Sequence, residues 1–278
     1  LHTAYRRQRQ MCIRDRLKDE GYTSVFIHPM DSSGWNRKNV YQFLDFDASL
    51  YLENMKNPET LRNLVSDRGD YSILIEEFEK RKEEGPVFLF NVTMQNHGGY
   101  TGAGMPNPIQ ITSPGENFVW AEEYLTLIEE SDRALEELLQ YFEQEEEPVV
   151  VCMFGDHYPK IEEELYEALS ETATGNPAEK TALEYQVPFM IYANYDITEK
   201  EYENISLNYL SSLLCEAAGI PLTDYQKYLE NLYESYPVVN VYGVKNSQGE
   251  WFTWDEALQF EEIQEYEKIQ YRNLFDNH

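Results

Sequence analysis

The chain has 278 residues, 42% of them hydrophobic and 26% charged, a balance that suits a folded globular protein and excludes a disordered or collagen-like polymer. With 22 Lys and Arg against 51 Asp and Glu the formal charge is −29, which argues against a protein that grips nucleic acid by neutralising phosphates; any anionic substrate must meet a local basic site. No apolar run approaches the roughly 18 to 20 residues of a membrane-spanning helix, and three scattered cysteines, Cys12, Cys152 and Cys215, form neither a disulfide framework nor a zinc knuckle, so Cys152 and Cys215 read as core filling.

Residues 1–16 differ from the remainder of the chain, because Arg6, Arg7, Arg9, Arg14 and Arg16 crowd into an otherwise acidic polypeptide with no apolar stretch of signal-peptide length behind them. The string from Arg7 to Arg16 resembles translated sequencing-adapter read-through. A non-native leader is therefore expected, on a reading frame that begins further upstream.

Beyond it lie four apolar runs of strand length: Tyr22–Ile27, Val87–Thr93, Val149–Phe154 and Val187–Ala193. They alternate with longer helical stretches, which predicts an α/β fold with a mostly parallel sheet sandwiched by helices. Ser113-Pro114-Gly115-Glu116 has the form of a capping box with proline at the first helical position, and a long helix is predicted after it. At 100° per residue, Trp120, Tyr124, Leu127, Ile128, Leu135, Leu138, Leu139 and Phe142 fall within roughly 60° of one line and are predicted to face the sheet. Glu122, Glu123, Glu129, Glu130, Glu136 and Glu137 then form a solvated acidic face.

Further on, Ser206 is expected to cap a helix carrying Leu207, Leu210, Leu214 and Ala217 on one side and ending at Gly219. Thr223 to Gln226 repeats the capping pattern. Val238–Val244, the turn Asn246-Ser247-Gln248-Gly249 and Trp251-Phe252 read as a hairpin, with a polar terminal helix beginning after Thr253. The expected organisation is a catalytic domain over 17–220 and a small C-terminal α+β subdomain over 221–278.

Apart from His2 and the terminal His278, the histidines are His28, His97 and His157, and each lies just beyond a predicted strand. Ligand crevices in open α/β sheets lie outside the carboxyl ends of the strands, so three histidines delivered there could converge on one site. In Phe154-Gly155-Asp156-His157-Tyr158-Pro159 a carboxylate and an imidazole leave a strand together, and both suit Zn or Mn. Taken alone, the pair reads first as a turn cap with a locally bonded histidine, since a metal site needs further ligands. His28-Pro29 through Trp35-Asn36-Arg37 supplies an imidazole, an aromatic wall and a planar guanidinium fit for phosphate or sulfate, or else a plain surface loop. Asn96-His97-Gly98-Gly99-Tyr100-Thr101-Gly102 is a glycine-rich loop without the Gly-Lys-Ser/Thr of a phosphate-binding P-loop, so its weight rests on His97.

In this order, His28…Trp35-Asn36-Arg37, Asn96-His97 and Phe154-Gly155-Asp156-His157 resemble the extracellular catalytic domain of lipoteichoic acid synthases, within the alkaline phosphatase and sulfatase superfamily. The resemblance runs from about residue 17 to at least Gly219, and the tail resembles that family's C-terminal subdomain. It implies a phosphoglycerol transferase on the outer face of a bacterial membrane that moves glycerol phosphate from phosphatidylglycerol to a cell-envelope acceptor, such as a glycerol phosphate polymer, through a phospho-threonine. It also implies a divalent metal, most fittingly Mn, on Asp156 and His157, and a glycerol phosphate pocket of His28, Trp35, Arg37 and His97. Residue type further suits His97 to protonating the leaving alkoxide. The family's nucleophilic threonine, a glutamate metal ligand and its transmembrane helices have no match in this chain and are expected upstream of it. The alternatives are a sulfatase or phosphodiesterase hydrolase of the same superfamily, or a non-catalytic module that binds an anionic ligand.

Overall fold

The computed structural model describes residues 16–42, 44–101, 105, 108–112, 117–170, 182 and 185–275. They fall into two compact units, one within 10–143 and 159–170 and the other within 1–9, 144–158 and 171–278. Of the sequence motifs, most of the arginine-rich leader and the Ser113–Glu116 capping box lie outside the described residues.

In the first unit, β1 (Thr23–His28) is buried from Ser24 to His28. A short 3-10 turn leads into α1 (Arg37–Gln42), and β2 (Ala48–Tyr51) returns alongside β1. A tight hairpin of β3 (Thr60–Leu61) and β4 (Leu64–Val65) precedes α2 (Asp67–Arg81), which leads to β5 (Val87–Asn91). The sheet order is β2-β1-β5 with both pairings parallel, Val25 lying opposite Ala48 and Leu89. A central parallel strand is covered on both faces, which is why Val25, Phe26 and Ile27 are consecutive apolar residues rather than an alternating pattern. Phe26 is its anchor: its ring stacks on Tyr41 at 3.7 Å and meets Phe46, Tyr51 and Phe90 at 5.7 to 6.0 Å. Burying such a side chain stabilises the fold by roughly 2 to 3 kcal/mol.

Helix α2 starts where the hydroxyl of Ser66 accepts the backbone N–H of Gly69 at 3.1 Å. Gly69 is required there, because a Cβ would lie 2.7 Å from the carbonyl oxygen of Glu59. The long predicted helix is α3 (Val119–Glu143). Its start is held from a distance: both oxygens of Glu162 accept backbone N–H groups, from Trp120 at 2.8 Å and Ala121 at 3.0 Å, so a carboxylate complements the helix dipole. The buried face is narrower than predicted. Ala121, Glu123, Thr126, Leu127, Ala134, Leu138 and Phe142 are buried, whereas Trp120 and Ile128 are exposed. Phe142 meets Phe78 of α2 edge-on at 5.3 Å, and Arg68 and Glu137 join the two helices through two 2.8 Å bonds.

The second unit pairs β6 (Val150–Phe154) with β7 (Phe189–Ala193), Val150 lying opposite Ala193. This pair is antiparallel, a departure from the parallel pattern of the first unit. Between them in sequence, α4 (Glu163–Ser170) belongs to the first unit. Cys152 is half-buried and Cys215 buried, neither in a disulfide among the described residues, and burial pushes the Cys152 thiol up to about 11, as core filling requires. The C-terminal elements are α5 (Leu210–Ala217), α6 (Asp224–Ser235), the antiparallel strands β8 (Val238–Val239), β9 (Val244–Lys245) and β10 (Trp251–Phe252), the single-turn α7 (Trp254–Ala257) and α8 (Glu261–Phe275). Thr223 and Thr253 both form reciprocal capping boxes, with Gln226 and Glu256. The Ser206 cap is corrected. Its hydroxyl accepts the N–H of Val239 at 2.9 Å, tying the chain to β8, and α5 begins at Leu210 with no side-chain cap while Leu207 is exposed. Among the described residues no helix is long and apolar enough to cross a membrane.

Candidate functional site

At the carboxyl end of β1 the chain turns outward. Asp31 forms the turn, its carboxylate accepting from the backbone and hydroxyl of Ser33, which hold it below the usual carboxylate range. Arg37 folds back so that its Nη1 donates to the carbonyl of Asp31 at 2.9 Å, and the side chain is buried. Gly34 makes room for this, since a Cβ there would lie 2.7 Å from Arg37 Nη1. His28 is buried beside it, and its Nδ1 has no hydrogen-bond partner among the described residues. Burial, with the Arg37 charge added, pushes the His28 imidazole down to about 4, so it is neutral at pH 7. A guanidinium and a neutral ring nitrogen thus stand together at the strand end, suited to an anion that carries a hydroxyl.

Trp35 lies in the same turn, and its backbone is in the left-handed region at φ 53° with the side chain 89% exposed. A bulky residue in that conformation costs about 1 to 2 kcal/mol, and a fully solvated indole returns little of it. Trp35→Gly is therefore expected to leave thermal stability unchanged or raise it by up to about 1 kcal/mol, which a melting curve checks.

His97 leaves the same sheet edge six residues past the end of β5, its side chain exposed and its N–H bonded to the carbonyl of Met94 at 3.0 Å. The loop around it is held by residues that carry almost no signal in the sequence. Nη2 of Arg62 donates to the carbonyls of Gln95 and His97, each at 3.0 Å, and its Nη1 to the carboxylate of Glu123 at 3.0 Å. Glu123 in turn accepts the N–H of Thr101 at 2.8 Å. Its carboxylate is only 3% exposed, which corrects its placement on the solvated acidic face. The sole sequence signal for Arg62 is a basic residue inside a two-residue turn.

The Asp156-His157 pair leaves β6 in the other unit. Gly155 lets the strand exit, because a Cβ there would press to 2.9 Å from Val187 Cβ. Both side chains are exposed. His157 Nδ1 lies 2.8 Å from the carbonyl of Tyr158, and since a carbonyl only accepts, Nδ1 is the donor. Nε2 sits 3.4 Å from Asp156 Oδ2. A backbone carbonyl that fixes the tautomer of a histidine is the usual support of a metal-ligating ring. The donor set therefore fits two ligands of a divalent ion that accepts mixed N and O donors. Among the described residues no group of three or more His, Cys, Asp or Glu side chains comes together.

The sequence profile of the sulfatase family matches residues 2–220. A protein of Rhizobium meliloti (strain 1021) named for cyclic beta-1,2-glucan modification is 26% identical over 241 residues, covering 84% of this chain and 37% of its own. The chain thus spans well under half the length of that relative. Among solved structures, Streptococcus pyogenes phosphoglycerol transferase GacH in complex with sn-glycerol-1-phosphate superposes with a TM-score of 0.65 at 22% identity, over 78% of this chain and 55% of that one. The lipoteichoic acid synthase LtaP from Listeria monocytogenes gives 0.63 at 17% identity, over 95% and 72%. The family match and these superpositions show a sulfatase-like α/β fold.

Proposed function

The chain belongs to the sulfatase family, and from that premise we propose that it is the metal-binding and substrate-binding part of a phosphoglycerol transferase at the outer face of a bacterial membrane. The observation that carries the proposal is the strand-end pair of Arg37 and neutral His28, whose ring nitrogen is buried and without a partner among the described residues. A sulfate or phosphate monoester needs only the guanidinium; a glycerol phosphate also offers hydroxyls for an uncharged imidazole to meet. The proposed donor is phosphatidylglycerol, and the acceptor is a cell-envelope glycan or glycerol phosphate polymer.

In this reading Arg37 holds the phosphoryl oxygens with its planar fork, where it opposes charge that builds during transfer. His28 orients the glycerol by a hydrogen bond, and Trp35 covers its carbon face. His97, exposed on its loop, donates a proton to the diacylglycerol oxygen as the phosphorus–oxygen bond to it breaks and a threonine oxygen, proposed to lie elsewhere in the whole protein, takes its place on phosphorus. The acceptor hydroxyl then displaces the threonine. Asp156 and His157 would hold a divalent ion, most fittingly manganese, which when bound supplies positive charge and lowers the pKa of a coordinated hydroxyl.

The whole protein incubated with phosphatidylglycerol and Mn is expected to release diacylglycerol. Release of inorganic sulfate from an aryl sulfate, with no diacylglycerol formed, would replace this reading by a sulfatase. For this chain alone, calorimetry with sn-glycerol-1-phosphate is expected to show binding that Arg37→Ala weakens by about 30- to 100-fold, the equivalent of a charge-assisted pair of bonds.

A further inference from the structure

Arg62 occupies an unusual place. The hairpin of β3 and β4 pairs Leu61 with Leu64, so its turn is Arg62-Asn63 alone, and both residues are left-handed, at φ 52° and 66°. That is the turn in which Asn-Gly is favoured, because each non-glycine residue pays for the left-handed backbone. An arginine is a poor choice on local grounds, and its long side chain is mostly buried rather than solvated. Strain kept where a cheaper residue would serve points to a task for the side chain.

The contacts show the task. Nη2 bridges the carbonyls of Gln95 and His97, Nη1 meets Glu123, and the guanidinium lies 5.2 Å from the centre of the Tyr100 ring. Glu123 receives the N–H of Thr101, and the Tyr100 hydroxyl donates back to the carbonyl of Asn96 at 2.6 Å. One ion pair therefore grips the loop at Gln95, His97, Tyr100 and Thr101 and leaves the His97 side chain exposed to solvent. Gln95 anchors the loop from below, its amide donating to the Leu127 carbonyl and Ser131 hydroxyl. A buried ion pair adds little to stability over an apolar pair of equal volume, so a stabilising role alone does not account for it.

We propose that the Arg62–Glu123 ion pair positions the His97 loop, with Arg62 a positioning residue for the chemistry of His97. The inference rests on the reading that His97 belongs to the glycerol phosphate site. Lysine cannot replace the arginine, because a single ammonium lacks the fork that reaches two carbonyls and a carboxylate together.

The test compares Arg62→Lys, Glu123→Gln and the apolar double variant Arg62→Met/Glu123→Leu with the unmodified chain. Circular dichroism reports folding, the NMR signals of the His97 ring report the loop, and calorimetry with sn-glycerol-1-phosphate reports the site. The double variant is expected to fold, to show shifted or multiplied His97 ring signals, and to bind the probe about 10- to 100-fold more weakly, as loss of a supporting contact does. Folded variants whose His97 signals match the unmodified chain would overturn the inference, and so would failure of all three to fold, since the pair would then determine the fold rather than the loop. If the unmodified chain does not bind sn-glycerol-1-phosphate, the functional reading falls, and the His97 signals still decide the role of Arg62.

Discussion

If the whole protein is the proposed phosphoglycerol transferase with Asp156 a metal ligand, Asp156→Ala is expected to lower its rate by about 10³-fold, the equivalent of the several kcal/mol that a bound divalent ion supplies in charge stabilisation. The carboxylate is exposed, and its Oδ1 accepts the N–H of the next residue at 2.8 Å. Its removal costs little stability, so the melting temperature should stay within a few degrees. His157→Gln should act similarly, because the amide has no ring nitrogen to offer once Nδ1 is committed to the Tyr158 carbonyl. Electron paramagnetic resonance of free Mn in a titration of this chain checks the pair directly. Both variants should leave the metal free at concentrations where the unmodified chain takes it up. Undiminished uptake by Asp156→Ala would remove this pair from the ligand set, whatever the activity.

A second large effect concerns stability and pH. Asp70 is completely buried in the first turn of α2, and the Nδ2 of Asn91 donates to its Oδ2 at 2.6 Å. Its Oδ1 has no partner among the described residues, and Asp67 lies one turn earlier with its own Oδ1 unpartnered among them. Burial raises the Asp70 carboxyl to about 7, with the nearby Asp67 charge adding to the effect and the Asn91 amide opposing it. The folded chain therefore keeps a proton on Asp70 that the unfolded chain releases near pH 4. Over that interval folding takes up a proton, so stability falls as pH rises from about 4 to about 7 and then levels off. The loss is on the order of 4 kcal/mol, from roughly three pH units at about 1.4 kcal/mol each. Asp70→Asn keeps the shape and a neutral acceptor for Asn91, and is expected to remove most of this slope and to stabilise the protein at pH 8. Urea unfolding at pH 5 and pH 8 measures it. Equal slopes in variant and parent would mean that Asp70 is ionised when folded.

The four apolar runs of strand length correspond to β1, β5, β6 and β7, each within two residues at either end. A short, mostly apolar run bounded by polar and turn residues is a local signature that can be read without knowing its partner strand. The capping boxes at Thr223 and Thr253 were equally legible, because donor and acceptor sit three residues apart and need nothing else. Strand β2 was not. Ala48-Ser49-Leu50-Tyr51 has neither length nor a continuous apolar run, and it is a strand because β1 offers it an edge.

His28, Trp35, Arg37, His97, Asp156 and His157 were candidates by residue type and by their place after a strand, with their proposed roles taken from the family resemblance. Their states were not written in the sequence. His28 is neutral because of how deeply it is buried and because Arg37 folds back beside it. Glu123 shows the limit most clearly. Along α3 it is one acidic residue among many, and helical periodicity assigns it to water; a guanidinium 61 positions earlier in sequence makes it a buried partner instead. Short-range patterns decide helices and their caps, since those hydrogen bonds close within a few residues, whereas strands pair with segments distant in the chain. Which charges may be buried is decided by partners distant in the chain, because the cost of desolvation is met only where the fold brings an opposite charge or a row of donors to the same point.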